Sequence, residues 1–157
     1  MKKILLVVGL LILSVGFVAC DESENLNESP VLRVNDDLFG VNLTVVGEIN
    51  RDSVVINLQL TNETAHSLTY GEPFSIEFYD EGVWRVFPIF EEAEFVSIGY
   101  SLAPNETSNF TRNLEWWFPD GLPYAGRYRL RMDIFNDADI PIREHHLHDL
   151  VAEFDVR

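Results

Sequence analysis

One cysteine, at position 20, is all that the 157 residues contain, and lysine is confined to positions 2 and 3. A lone cysteine excludes an internal disulfide framework and a thiolate metal cluster, because each needs a second sulfur. Beyond position 3, nine arginines stand against 26 acidic residues, a net charge of −17. Nucleic acid is not expected as a partner on that ground, since phosphates are bound by neutralising them with cations. The catalytic templates are missing too: no Gly-x-Ser-x-Gly, no His-Glu-x-x-His, no Walker loop and no dinucleotide fingerprint. The expectation is therefore a non-enzymatic protein with no cofactor. Aromatic residues make up 12% of the chain, too many for a disordered acidic tail, and the length is that of one domain.

What is present begins with an export signal. Lys2 and Lys3 precede an uncharged stretch from Ile4 to Val18, which ends at Ala19-Cys20. The stretch is shorter than the ~20 apolar residues a spanning helix needs, and no positive charge follows it as a stop signal, so cleavage is expected over permanent insertion. Small residues before a cysteine resemble the lipobox of bacterial lipoproteins, with Phe17 where that motif usually has Leu, Val or Ile. The resemblance implies cleavage before Cys20 and acylation of its thiol, and two or three acyl chains make a stable anchor. An ordinary secretory signal cut near Ala19 and an uncleaved anchor are the alternatives.

Asp21 to Pro30 carries four acids and a single large apolar residue, Leu26, which reads as a tether unable to repay the entropy of ordering. From Val41 the texture changes to short Val-, Ile-, Phe- and Tyr-rich runs punctuated by Gly, Asn, Pro and Asp. Period-two alternation is explicit. Val54, Ile56, Leu58 and Leu60 point one way against Asn57 and Gln59; Phe74, Ile76 and Phe78 alternate with Ser75 and Glu77; Tyr128, Leu130, Met132 and Ile134 alternate with Arg127, Arg129, Arg131 and Asp133. Further strands are predicted over Leu43 to Ile49, Val83 to Phe87, Glu94 to Leu102, Ser108 to Trp117 and Val151 to Val156. The expected architecture is all-β, an antiparallel sandwich preceded by a cleavable N-terminal signal helix: residues 1–19 signal peptide, 20–40 acylated cysteine and acidic tether, 41–157 sandwich domain.

The order of features from Val54 onward is distinctive. A strand ends in TNET (Thr61 to Thr64), and YGEPFSIEFYDEGVWRVFP (Tyr70 to Pro88) and IGYSLAPNET (Ile98 to Thr107) follow. Next come a long strand with WWF and then GLPYAGRYRLR (Gly121 to Arg131). This succession resembles the bacterial immunoglobulin-like domain of Gram-positive surface lipoproteins and other envelope proteins. The resemblance implies an immunoglobulin-like β-sandwich serving adhesion, spacing or ligand binding. Asn105 stands where that family's turn usually has Gly, and Asn tolerates the left-handed conformation. A weaker resemblance is to the intracellular proteinase inhibitor of bacilli, also an immunoglobulin-like sandwich. Here its late Pro-Gly pair is interrupted by Tyr124 and Ala125.

Several residues are candidates for function. Trp84 reads as a core or hairpin anchor, and Gly126-Arg127-Tyr128 looks like a tyrosine corner. Trp116, Trp117, Phe118 and Tyr124 form an aromatic group suited to stacking on a sugar or gripping a peptide. Trp116, in phase with Phe110 and Leu114, is expected to face inward and Trp117 outward or under the Phe118 to Tyr124 loop. His145, His146 and His148 are a possible Zn or Cu set, with a solvated loop as the alternative, and Asn136 to Asp139 reads as a polar hairpin turn before a calcium loop. The Arg127, Arg129 and Arg131 row is explained by cross-strand acids such as Glu77, with an anionic polymer as the weaker reading. Asn27, Asn42, Asn62, Asn105 and Asn109 each head an Asn-x-Ser/Thr triplet and are read as turn residues.

The functional expectation is a lipid-anchored, monomeric binding or structural module on the extracellular face of the cell membrane, with an envelope protein or glycan as partner. The alternatives are an extracellular protease inhibitor acting through Pro119 to Ala125 or Asp80 to Val83, and a metal-binding accessory lipoprotein.

Overall fold

The structure is a computed structural model that describes residues 27–28, 40–136 and 147–157. The signal helix and most of the tether lie outside them. Among the described residues nine strands form two antiparallel sheets: β1 (Asn27–Glu28), β2 (Val41–Val45), β3 (Val55–Asn62), β4 (Leu68–Asp80), β5 (Val83–Val86), β6 (Gly99–Leu102), β7 (Thr107–Asn113), β8 (Gly126–Asn136) and β9 (Leu147–Val156). The larger sheet runs β1-β5-β4-β8-β9 with β6 also on β4, and the smaller runs β2-β3-β7. The alternation seen in the sequence becomes the two inner faces. Ile56, Leu58 and Leu60 from β3 meet Ile76, Tyr128, Leu130, Met132 and Ile134 from β4 and β8, all fully buried. Each such side chain contributes roughly 1.5–3 kcal/mol by leaving water. Among the described residues the core cluster runs from Leu43 to Val156.

On one side the sheets are stitched together where Ile49 bridges Val156 in parallel and the Arg51 amide donates to the Arg157 carbonyl. Next to that seam the Leu122 amide donates to the Arg51 carbonyl at 2.6 Å. The contact requires Gly121, whose φ is +87° and where a Cβ would stand 1.9 Å from the Arg51 oxygen.

β4 organises the larger sheet because its register against β8 shifts between Tyr70 and Phe74. Gly71-Glu72-Pro73 fill the irregularity, and Pro73 has no N–H to give to a ladder. Before the shift β4 pairs with β6, and after it with β5. The shift thus turns one strand into the partner of two, and it aims Glu72 between the sheets.

Sequence and structure part company at several strand ends. Only Gly99–Leu102 of the predicted Glu94 to Leu102 strand forms, and the predicted Ser108 to Trp117 strand stops at Asn113. Asn27 and Glu28, read as tether, pair with Val86 and Arg85 at the edge of β5. An edge strand offers unpaired backbone groups to any extended segment, whatever its side chains. Asn42 and Asn109 lie within strands, where the Asn109 side chain accepts from Gln59, and are not turn residues. Asn62 is fully buried at the end of β3: its amide donates to the carbonyls of His66, Leu102 and Ala103 while its oxygen accepts from Thr64. Asn105 does occupy a left-handed turn, with φ of 58°.

Candidate functional site

β7 ends at Asn113, and the next residues turn instead of extending: the Asn113 side chain accepts from the Glu115 amide, and the Trp117 and Phe118 amides both donate to the Leu114 carbonyl. Strand alternation is therefore lost before the tryptophans. Trp116, expected inward, is 89% exposed, and Trp117, expected outward or under the Phe118 to Tyr124 loop, is half-buried. The indole of Trp117 packs on Phe74, Phe90 and Phe95 with ring centroids 5.2–5.5 Å away. Phe118 is buried against Phe87, and Tyr124 is half-buried against Phe78. Of the four aromatic residues Trp116 is the most exposed, while Trp117, Phe118 and Tyr124 pack against rings of the body.

Tyr128 makes the corner beneath them. Its buried hydroxyl donates to the Tyr124 carbonyl at 2.9 Å and accepts from the Tyr124 amide at 3.1 Å, holding the Pro119 to Ala125 loop against the body. Tyr128→Phe leaves both backbone groups without that partner and is expected to cost about 1–2 kcal/mol in a urea unfolding curve. Leu122, in the same loop, is buried, and the Asp80 to Val83 turn closes in two residues.

Trp84 is on the outer face of the larger sheet, opposite Tyr79 in the β4–β5 hairpin, with ring centroids 5.0 Å apart. Arg129 stacks on it, the guanidinium carbon 4.5 Å from the ring centroid. Arg129 also faces Glu77 in register and donates to it through Nε at 2.6 Å and in a second contact through Nη2. The arginine row thus pairs with acids, as its spacing suggested: Arg127 with Glu153, Arg129 with Glu77, and Arg131 bidentately with Asp149 at 2.9 Å. Glu77, expected on a wet face, is 0% exposed, because the indole and guanidinium above it exclude water.

Asp133 stands directly opposite Asp149, which Arg131 already engages. Burial, and then the Asp149 charge, push the Asp133 carboxyl above the usual range. The folded state therefore holds this proton more tightly than the unfolded chain, and stability falls as pH rises from the ordinary carboxylate range through the raised one. Asp133→Asn should remove that slope and raise the thermal midpoint near neutrality, which melting curves at stepped pH will show.

Arg112 had no place in the sequence reading. It is 4% exposed on β7, in phase with Phe110, and its guanidinium carbon lies 4.8 Å from the Phe110 ring centroid and 5.7 Å from that of Phe74. Nη2 donates to the Gly71 carbonyl at 2.6 Å, and Nη1 is 3.3 Å from the Glu72 carboxylate. Glu72 also accepts from the Tyr100 hydroxyl, which holds that phenol's pKa above its usual value. Burial lowers the pKa of Arg112, against the opposing pull of Glu72. The missed signal was a cation standing at an inward position of an alternating strand.

His145, His146 and Asp137 to Asp139 lie outside the described residues, and His148 is placed only by its backbone in β9, opposite Ile134. Among the described residues no group of three or more His, Cys, Asp or Glu could hold a metal ion. An open cavity of about 250 Å³ at the β2–β9 seam is lined by Glu48, Ile49, Glu153 and Arg157, and holds no nucleophile beside a base.

Two antiparallel sheets, a tyrosine corner and a Trp-bearing hairpin define an immunoglobulin-like β-sandwich, a class of binding and structural modules that is typically non-catalytic. Residues 37–155 match the family described as bacterial Ig-like domain, and the chain belongs to that family. No curated protein matches it. Among solved structures it is similar to the yjhA protein from Bacillus subtilis, at 16% identity over 74% of this chain and 92% of that one, with a TM-score of 0.39. It is also similar to the ASH / PapD-like domain 7 of human CEP192, at 16% identity over 82% and 93%, with a TM-score of 0.34.

Proposed function

We propose that this chain is an exported, lipid-anchored, non-enzymatic binding module on the outer face of a Gram-positive cell membrane, monomeric, and engaging an envelope partner through Trp116. The observation that carries the reading is the exposure of Trp116 on a turn braced by Trp117, Phe118 and the Tyr128 corner. The indole offers a large apolar surface that a partner can cover, on a turn fixed by the two amides that donate to the Leu114 carbonyl. The anchor rests on the basic start, the short apolar stretch and Cys20. Because Asn27 is paired to β5, seven Cα steps separate it from Cys20, so acylation keeps the β5 edge within about 25 Å of the lipid surface.

Two measurements test this. Labelling cells with a palmitate analogue should tag the wild-type chain and leave Cys20→Ser untagged; equal labelling removes the anchor. A pull-down from envelope fractions should recover a partner with the wild type and lose it with Trp116→Ala, a substitution expected to change stability by less than about 0.5 kcal/mol at so exposed a position. Equal recovery by both variants excludes Trp116 as the contact.

A further inference from the structure

The two outer faces of the sandwich differ in charge. That of the larger sheet carries the ion pairs of Arg127 with Glu153, Arg129 with Glu77 and Arg131 with Asp149. Along the strands of the smaller sheet the outward positions hold no charged residue. Register places Asn42, Thr61 and Thr107 in one row across β2, β3 and β7, and Thr44, Gln59 and Asn109 in the next. Asn57 beside Thr111, and then Val55 beside Asn113, continue the face along β3 and β7. These positions alternate with the buried Leu43, Ile56, Leu58, Leu60 and Arg112, so their side chains share one side of the sheet. Two cross-strand contacts show it directly. The Gln59 amide donates to the Asn109 side chain at 3.1 Å, and the hydroxyls of Thr61 and Thr107 are 3.3 Å apart. Gln59 and Thr61 are half-buried in the central strand, and the others are exposed.

Charged residues make up 24% of the chain and its net charge is −15, so a sheet face without charge is not what composition alone would produce. With strands about 4.8 Å apart and outward side chains about 7 Å apart along each strand, the face spans about 10 Å by 20 Å. Each side-chain amide and hydroxyl on it can both donate and accept, so the two cross-strand contacts leave much of that capacity for a ligand.

We infer that this face binds an uncharged, hydroxyl-rich polysaccharide, whose hydroxyls exchange hydrogen bonds with Thr44, Asn57, Gln59, Asn109 and Thr111. Such a chain matches the face in both respects, since it brings no charge and its groups donate and accept as the face does. Other occupants match less of it. An anionic polymer requires cations, and these strands present none outward. A protein partner or a second copy gains its affinity from buried aromatic and aliphatic anchors, for which the face offers only Val55, and Val46 just beyond β2. Each hydrogen bond exchanged with water contributes little by itself, so a polymer spanning several rows is favoured over a single sugar. This surface is additional to the Trp116 turn and does not depend on it.

The test uses the full chain in a non-ionic detergent that carries no sugar, titrated with cellohexaose, chitohexaose and maltohexaose, and with polygalacturonate as the anionic control. At least one neutral hexasaccharide should bind, with an affinity that salt does not change and that exceeds its disaccharide's about tenfold or more. Polygalacturonate should not bind. The combined Asn57→Ala, Asn109→Ala, Thr111→Ala variant should weaken binding about tenfold or more. Thr44→Val with Thr111→Val removes two hydroxyls while keeping a β-branched shape suited to strands, and should also weaken it with the thermal midpoint nearly unchanged. Trp116→Ala should bind as the wild type does. Absence of binding by all three hexasaccharides overturns the proposal, as does binding indifferent to both face variants. Binding lost in Trp116→Ala and kept in the face variants overturns it too, and moves the sugar to the Trp116 turn. Self-association that the face variants abolish, without sugar binding, overturns it by making the face a contact between copies. The Trp116-dependent pull-down is a separate measurement, so the failure of either reading leaves the other standing.

Discussion

Arg112→Ala should destabilise the domain by about 3–5 kcal/mol, the usual result of breaking a buried ion pair from one side. Three losses coincide in that substitution. The Gly71 carbonyl loses its 2.6 Å donor, Glu72 loses its cation, and the space between the rings of Phe110 and Phe74 is emptied. Arg112→Met separates them, because it refills the space with an unbranched apolar chain while removing the charge. Glu72 keeps 28% of its side-chain surface exposed and so can turn to water, and Met is expected to cost no more than half of what Ala costs. Urea unfolding of both variants checks this. A loss under about 1 kcal/mol for Ala would show that the ion pair does not hold the β4 irregularity in place. Equal losses for Ala and Met would assign the effect to charge and hydrogen bonding, with packing contributing nothing.

Glu77→Ala is expected to be of similar size, about 3–5 kcal/mol, for a different reason. Here the residue left behind is the deeply buried one: Arg129, with 9% of its side chain exposed, sits under Trp84 and cannot rehydrate without leaving the indole. One carboxylate oxygen, Oε2, receives both contacts from Arg129, while Oε1 has no hydrogen-bond partner and lies 4.0 Å from Arg131. The cost of that unmatched oxygen lowers the net worth of the pair, so the double replacement Glu77→Leu, Arg129→Met should recover most of the stability lost by Glu77→Ala. Indole fluorescence is a second readout, since removing the guanidinium from the Trp84 face alters the polarity that ring meets. A double variant no more stable than Glu77→Ala would show that the pair is needed for more than its own burial.

Much of the fold was legible because strands with one buried face have a period of two, and β3, β8 and the second half of β4 keep it without interruption. The turns at Asp80 to Val83 and Ala103 to Glu106 were legible from residues that tolerate their backbone, Gly82 and Asn105 among them. The site was less so. Reading Trp116 as buried extended strand alternation across Asn113, and that step failed because the Asn113 side chain accepts from the Glu115 amide and the Leu114 carbonyl from Trp117 and Phe118, a turn whose one signal in the sequence is Asn113. Arg112 and Glu72 were missed because they are distant in sequence and meet only through the register shift in β4.

By itself, then, the sequence determined the acidic net charge, the all-β class and most of the alternating apolar residues that fill the core. Those properties follow from composition and from local periodicity, which are carried along one dimension. The tertiary structure decided which of two adjacent tryptophans meets solvent, which acids are buried with which arginines, and that Phe74, Phe90, Phe95 and Trp117 meet in one aromatic cluster. Each of those depends on contacts between segments far apart in the chain, and such contacts are set by sheet register and packing, not by the identity of neighbouring residues.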